Sequence, residues 1–203
     1  MKANRSGWGR VAPVYDVLMA PLEALWVRDW RRRVWRAAPE RGPGLEVGAG
    51  TGANLPCHPP AARVVMTDVS WRMLRRARQR ARRAGNGDVA FIVADARRLP
   101  FRDGTFAWAV ATLVFCEVPE PIAGLRAMAA AVRPGGPIVL LEHVRPGGAL
   151  GRLAALVTRV TGPLWGEHWD RRTVDNARAA GLRDVRAEPL LGSAVLLIRG
   201  RAP

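Results

Sequence analysis

Apolar positions along the 203-residue chain fall into short runs separated by stretches of helical spacing. GLEVG (44–48), RVVMTD (63–68), VAFIVAD (89–95), FAWAVATLVF (106–115) and PIVLLEHV (137–144) are nearly continuous apolar stretches of strand length. Between them, WRMLRRARQRARRAG (71–85) puts Met73, Leu74, Ala77 and Ala81 on one face and arginines on the other. PIAGLRAMAAAVRPGG (121–136) reads as a second helix, stopped by Pro134 and Gly135–Gly136. Such strands alternating with helices predict an α/β fold with a parallel sheet covered on both faces. Further on, helical stretches at 149–161 and 172–180 flank the aromatic-rich TGPLWGEHWD. Strands at 182–188 and 193–200 lie close enough in sequence to pair as an edge hairpin.

Upstream, PLEALWVRDWRRRVWRA (21–37) forms a helix with Leu22, Leu25, Trp26, Trp30 and Val34 along one side and Arg28, Arg31, Arg32 and Arg36 elsewhere. A basic amphipathic helix bearing Trp suits an anionic membrane surface; it equally suits a lid packed on the core with solvated arginines. LGRLAALVTRV (150–160) is a second such candidate. Residues 1–38 are read as N-terminal lid helices on a main domain spanning 39–203, the whole forming a single globular domain, since no repeat, linker or low-complexity segment interrupts the chain.

Composition narrows the classes. With 49% hydrophobic and 24% charged residues the chain is globular. A net charge of +15 draws nucleic acid or an anionic membrane into consideration. Lys2 is the sole lysine, however, and the arginines are spread along the whole chain, so charge alone selects no partner. No apolar run of spanning length occurs, and MKANRSGWGR lacks the apolar core of a secretion signal. A cytoplasmic location, with peripheral contact to a membrane as an option, is the expectation. Cys57 and Cys116 are far apart and His58, His143 and His168 have no ligand spacing, so reduced thiols and no metal are expected.

LEVGAGTG (45–52) carries the chemistry. Glycines at 48, 50 and 52 let a ligand approach backbone at the end of the first strand, where open α/β sheets bind ligands. GAGTGA also satisfies the dinucleotide pattern, whereas the absence of a following Lys excludes a phosphate-cradling ATPase loop. Glu46, two residues before the first glycine, would repel a pyrophosphate and favour a cation such as the ammonium and sulfonium of S-adenosylmethionine. A structural turn without ligand is the bland alternative. Asp68 closes the second strand where a carboxylate can take both ribose hydroxyls, although a helix N-cap is a competing role that Ser70 also fits. Asp95 closes the third, placed for an adenine amino group or for a turn. Three carboxylates at successive strand ends favour the cationic nucleoside.

LEVGAGTG, VVMTDVSWRMLRRAR, VADARRLPF, DGTFAWAVATLVFCEVPEP and RAMAAAVRPGGPIVLLEHV together resemble class I S-adenosylmethionine-dependent methyltransferases over residues 40–145. The nearest resemblance is to the ubiquinone/menaquinone-biosynthesis type and the bacterial phosphatidylethanolamine N-methyltransferases. YDVLMAPLEALW, LVFCEVPEP, LEHVRPGG and PLWGEHWDRRTVDNARAAGL also look like related thiol and lipid-associated methyltransferases. The resemblance implies a Rossmann-like, mostly parallel seven-stranded sheet in the order 3-2-1-4-5-7-6 with the last strand antiparallel. It implies that Glu46, Gly48, Gly50 and Gly52 hold the methionine end of the cofactor, with Thr51 and Asn54 near its carboxylate. Asp68 would bind the ribose, Val69 and Met73 would pack on the adenine, and Asp95 and Ala96 would meet its edge. Leu113 would lie under the sulfonium, and Tyr15 and Asp16 would close over the cofactor.

Methyl transfer is an in-line displacement, so aligning the reactants and excluding water carry most of the catalysis. A thiolate acceptor needs no base, whereas a protonated amine or a phenol does. Catalytic candidates are His143 at the end of the fifth strand, His168 in the aromatic loop and Tyr15, with Glu142, Glu117 and Asp170 behind them. For both histidines a packing role is the alternative. The expected acceptor is a small molecule or a lipid headgroup. RNA is disfavoured because no RNA-binding module, aromatic-basic motif or clustered tail accompanies the domain. A non-catalytic S-adenosylmethionine-binding module remains the third reading; the oligomeric state is unassigned.

Overall fold

β1 (Pro43–Val47), β2 (Arg63–Asp68), β3 (Val89–Val93), β4 (Trp108–Thr112), β5 (Pro137–His143), β6 (Arg183–Leu191) and β7 (Val195–Arg201) make one sheet. The structure, a computed structural model, describes residues 23–39, 41–85, 88–144, 172–192 and 194–203. The strand order is β3-β2-β1-β4-β5-β7-β6, as the resemblance implied. β1 to β5 pair in parallel, and β7 runs antiparallel to both β5 and β6. The central strands are apolar throughout because helices cover both faces: every residue of β4 is buried.

α1 (Arg28–Ala37) and α2 (Trp71–Ala84) belong to one face, where Val34, Trp35, Leu74, Ala77 and Ala81 pack with Val64, Met66, Val110, Val139 and Leu141. α3 (Pro121–Ala131) and α4 (Thr173–Ala179) cover the other, around Leu45, Ala109, Leu125, Met128, Ile138, Ala177 and Ile198. α2 starts at Ser70, whose side chain accepts from the Met73 N–H, and ends at Gly85 in the left-handed conformation (φ 71°). α3 stops at Ala131, short of the glycines, because Val132 leaves the helix to bridge Phe106 beside β4.

Two features of the chain shape the site. A π-helical turn (Glu23–Val27) precedes α1 and shifts the apolar register. The buried stripe is therefore Val27, Arg31, Val34, Trp35 and Ala38, while Leu25 and Trp26 are exposed. Arg31, expected on the solvated side, faces inward. Second, the link from β1 to β2, for which no helix was read, holds no α-helix. Pro56, Pro59 and Pro60 withhold amide hydrogens, and the segment after the glycines is turns plus a 3-10 turn (Leu55–Cys57).

Candidate active site

A cleft opens at the carboxyl ends of β1, β2 and β4, bounded by the chain beyond β3. Gly48, Gly50, Thr51, Asp68, Val69, Met73, Asp95, Ala96 and Leu113 line it together, as do Arg31, Arg97, Thr112, Val114, Glu117, Val118 and Pro119. The glycine loop leaves β1 with Gly48, Gly50 and Gly52 all at positive φ (69°, 55° and 79°). A Cβ on Gly48 would sit 2.3 Å from a Val114 methyl, so this glycine lets the β1 and β4 ends meet. At Gly50 the Cβ position is open space.

Asp68 closes the loop from the neighbouring strand. Its Oδ2 accepts from the Gly50 N–H at 2.9 Å and its Oδ1 from the Ser70 N–H at 2.8 Å. Ser70 is the cap of α2, which leaves Asp68 available to the cleft. Burial raises the Asp68 pKa above the ordinary carboxylate value, against the two backbone hydrogen bonds that lower it. Asp95 is placed differently. Arg97 chelates it through Nε (3.0 and 3.2 Å) and Nη2 (2.7 Å), and reaches Glu120 with Nη1 at 2.8 Å. The Arg97 hydrogen bonds hold the Asp95 carboxyl below its usual range.

Three residues assigned to the methionine end stand behind the cleft wall. Glu46 is 0% exposed; its Oε1 accepts from Asn54 Nδ2 at 2.7 Å and its Oε2 meets His58 Nε2 at 2.9 Å. Asn54 is likewise buried, donating to Glu46 and to Thr112 Oγ1 at 2.7 Å. Gly52 is a packing glycine, since its Cβ would press on Leu55 and Ala77. Glu46 therefore braces the loop from beneath and stands outside the cleft lining. Turns and a 3-10 turn follow the glycines, so no aligned amides of an α-helix N-terminus stand behind them.

The wall on the β4 side depends on Glu142. Leu113 turns out of β4 at φ 57°, a left-handed conformation uncommon for leucine, so the strand ends at Thr112 and not at 115. The Glu142 carboxylate then accepts from the N–H groups of Val114 (3.0 Å), Phe115 (2.9 Å) and Cys116 (3.2 Å). Complete burial pushes its pKa up to about 7 despite these bonds. Glu142 is thus a structural peg and does not line the cleft. His143, next along β5, also lies outside the lining, and burial lowers its pKa to about 4. Tyr15, Asp16, His168, Asp170 and the 149–161 stretch lie outside the described residues.

Arg31, Thr112 and the Val118–Pro119 wall were not singled out from sequence. Arg31 had a signal: it shares the i, i+4, i+7 stripe of Val27, Trp35 and Ala38 once the helix is phased from Val27.

Residues 45–136 match the family described as a methyltransferase domain. The stretch 45–136 is a methyltransferase domain. The chain is 38% identical over 128 residues to a phosphatidylethanolamine N-methyltransferase of Cereibacter sphaeroides, covering 62% of this chain and 63% of that protein. It is 36% identical over 140 residues to a demethylmenaquinone methyltransferase of Renibacterium salmoninarum, covering 67% of this chain and 56% of the relative. The chain thus spans less than two thirds of the length of these curated relatives. Among solved structures, an S-adenosylmethionine-dependent methyltransferase of Thermotoga maritima superposes with a TM-score of 0.74 at 20% identity, covering 97% of this chain and 98% of the other. At that identity the likeness speaks for the fold, and this methyltransferase shares it along nearly its whole length.

Proposed function

We propose that this methyltransferase takes the methyl group of S-adenosylmethionine and delivers it to a small molecule or lipid headgroup at nitrogen, sulfur or oxygen. The observation that carries the reading is the Asp68 carboxylate bonded to a glycine loop with no helix behind it. That arrangement offers acceptors for ribose hydroxyls and no seat for a pyrophosphate. The open space at the Gly50 Cβ position, the Val69 and Met73 side chains and the Asp95–Ala96 edge fit a nucleoside. Gly48, Gly50, Thr51, Asp68, Val69, Met73, Asp95, Ala96 and Leu113 would hold the cofactor. When bound, it supplies an electrophilic methyl group on a sulfonium.

The protein's part is alignment and exclusion of water. Leu113, Val114, Val118 and Pro119 give the acceptor side an apolar wall, suited to an acceptor with an apolar body. Among the described lining residues, Glu117 is the carboxylate on that side, and it would serve an acceptor that must lose a proton. His143, neutral at pH 7, adds no charge near the fifth strand end. A peripheral membrane contact is part of this reading: Leu25 and Trp26 are exposed beside exposed Arg28, Arg32 and Arg36. The named activities of the two relatives, on phosphatidylethanolamine and demethylmenaquinone, support a lipid-associated acceptor.

The test is incubation with methyl-labelled S-adenosylmethionine and separate panels of phosphatidylethanolamine vesicles, a demethylated quinone, alkyl thiols and amines. Label should pass to one class with equimolar S-adenosylhomocysteine formed. Tight cofactor binding with no turnover on any panel or on cell extract would favour the non-catalytic module.

A further inference from the structure

A second hollow lies away from the cleft and shares no described lining residue with it. α1 packs on β4 and β5 and ends at Ala37. A recess remains between that helix end, Pro137 at the start of β5, and the open end of the β6–β7 hairpin. The cleft opens at the carboxyl ends of strands, whereas Pro137 marks the amino end of β5, so the two lie at opposite ends of the sheet. Arg186, Arg199 and Arg201 line the recess, and Asp184 is the carboxylate in its described lining.

The strand register concentrates positive charge here. Arg186 is the direct cross-strand partner of Arg199, and Arg183 that of Arg201. Residues directly opposite on antiparallel strands project to one face, where like charges destabilise the pairing. A bulge between Arg183 and Arg186, with Asp184 at φ 52°, turns both Asp184 and Arg186 to the recess. The carboxylates do not neutralise the cluster. Glu188 is divided between Arg199 at 3.1 Å and Arg33 of α1 at 3.5 Å, and Asp184 stands 3.8 Å from Arg201. Arg201 is anchored by donating to the Gly135 carbonyl at 2.9 Å. Arg186 has no ion pair among the described residues. Four arginines thus share two carboxylates, which leaves two positive charges in excess. The paired side chains are between 41% and 72% exposed, so solvent screens the pairs and they can exchange partners. We infer that this recess binds a phosphate monoester. Its double charge matches the excess, and its oxygens match the guanidinium forks of Arg186 and Arg199.

Inorganic phosphate and glycerol 1-phosphate are titrated calorimetrically into the full chain at constant ionic strength, for wild type, Arg186→Gln and Arg186→Glu. Wild type should bind both. Arg186→Gln should weaken both by about tenfold and Arg186→Glu should abolish them, with S-adenosylhomocysteine affinity the same in all three proteins. In phosphate-free buffer Arg186→Gln should melt slightly above wild type, because it relieves the repulsion with Arg199. Vesicles of phosphatidic acid, compared with phosphatidylglycerol at equal surface charge, identify the source of the phosphate. A preference for phosphatidic acid that Arg186→Glu removes assigns it to a lipid headgroup; soluble binding without that preference assigns it to a free phosphorylated molecule. No phosphate binding by wild type, or affinity unchanged in both variants, would overturn the inference. A lower melting temperature for Arg186→Gln with unchanged phosphate binding would make the arginine a structural counterion to the carboxyl end of α1, overturning it too. So would displacement of phosphate from wild type by saturating S-adenosylhomocysteine, which would place the anion in the cleft.

Discussion

Glu142 and His143 are neighbours at the end of β5, and burial drives their titrations in opposite directions. Glu142 rises from 4.5 to about 7 in the folded chain. Its folded pKa is the higher one, so its contribution to stability is fully present below pH 4.5 and lost as pH rises through 7. His143 falls from 6.5 to about 4. A buried neutral histidine contributes stability that is present above pH 6.5 and lost as pH falls through 4. Between pH 5 and 8, linkage gives roughly 2–3 kcal/mol lost by the first group and about 2 kcal/mol gained by the second. The two nearly cancel in wild type. Glu142→Gln should therefore leave a stability that climbs by about 2 kcal/mol from pH 5 to 8, and His143→Leu one that declines by roughly 2–3 kcal/mol over the same range. Urea midpoints at half-unit intervals from pH 5 to 8, taken against wild type, read both slopes. Curves for Glu142→Gln and wild type that run parallel would show that the carboxyl does not titrate in this window, so that its three backbone hydrogen bonds outweigh burial and the raised pKa would be refuted.

Asp68→Ala removes two charge-assisted acceptors and should reduce S-adenosylhomocysteine affinity on the order of 100-fold; calorimetry showing undiminished binding would displace the ribose from this strand end. Gly50→Val forces a β-branched residue to φ 55° and fills the cleft, so binding should vanish. Gly85→Ala, at φ 71° in open space at the end of α2, is its control: stability should drop by about 1 kcal/mol with affinity unchanged. Vesicles containing acidic lipid should sediment the protein at low salt and release it at high salt. Replacing Leu25 and Trp26 with Ala should weaken that binding by about tenfold or more, and salt-insensitive or absent sedimentation would end the membrane reading.

The sheet was legible because its strands announce themselves as apolar runs, and RVVMTD matches β2 residue for residue. The order of the strands came from family resemblance, since apolar pattern alone carries no neighbour information. The cleft wall was legible where the signal was local: glycines at a strand end and a carboxylate closing the next strand. It failed where the outcome depended on partners distant in sequence. The enclosure of Glu46 by Asn54 and His58 has no local signal in the sequence. Leu113 looked like strand until Glu142, from β5, took the amides beyond it. Arg31 looked solvated because a π-helical turn upstream rotates the stripe, a feature that 3.6-residue periodicity does not anticipate. The prolines at 56, 59 and 60 were the overlooked local cue, for they preclude the helix that a dinucleotide loop requires.

The most direct measurement is a crystal structure of the protein grown with S-adenosylhomocysteine and, separately, with NADH. The account predicts density for the thioether nucleoside, with both ribose hydroxyls on Asp68, and none for the dinucleotide. A pyrophosphate resting on the glycine loop, or a ribose remote from Asp68, would contradict it.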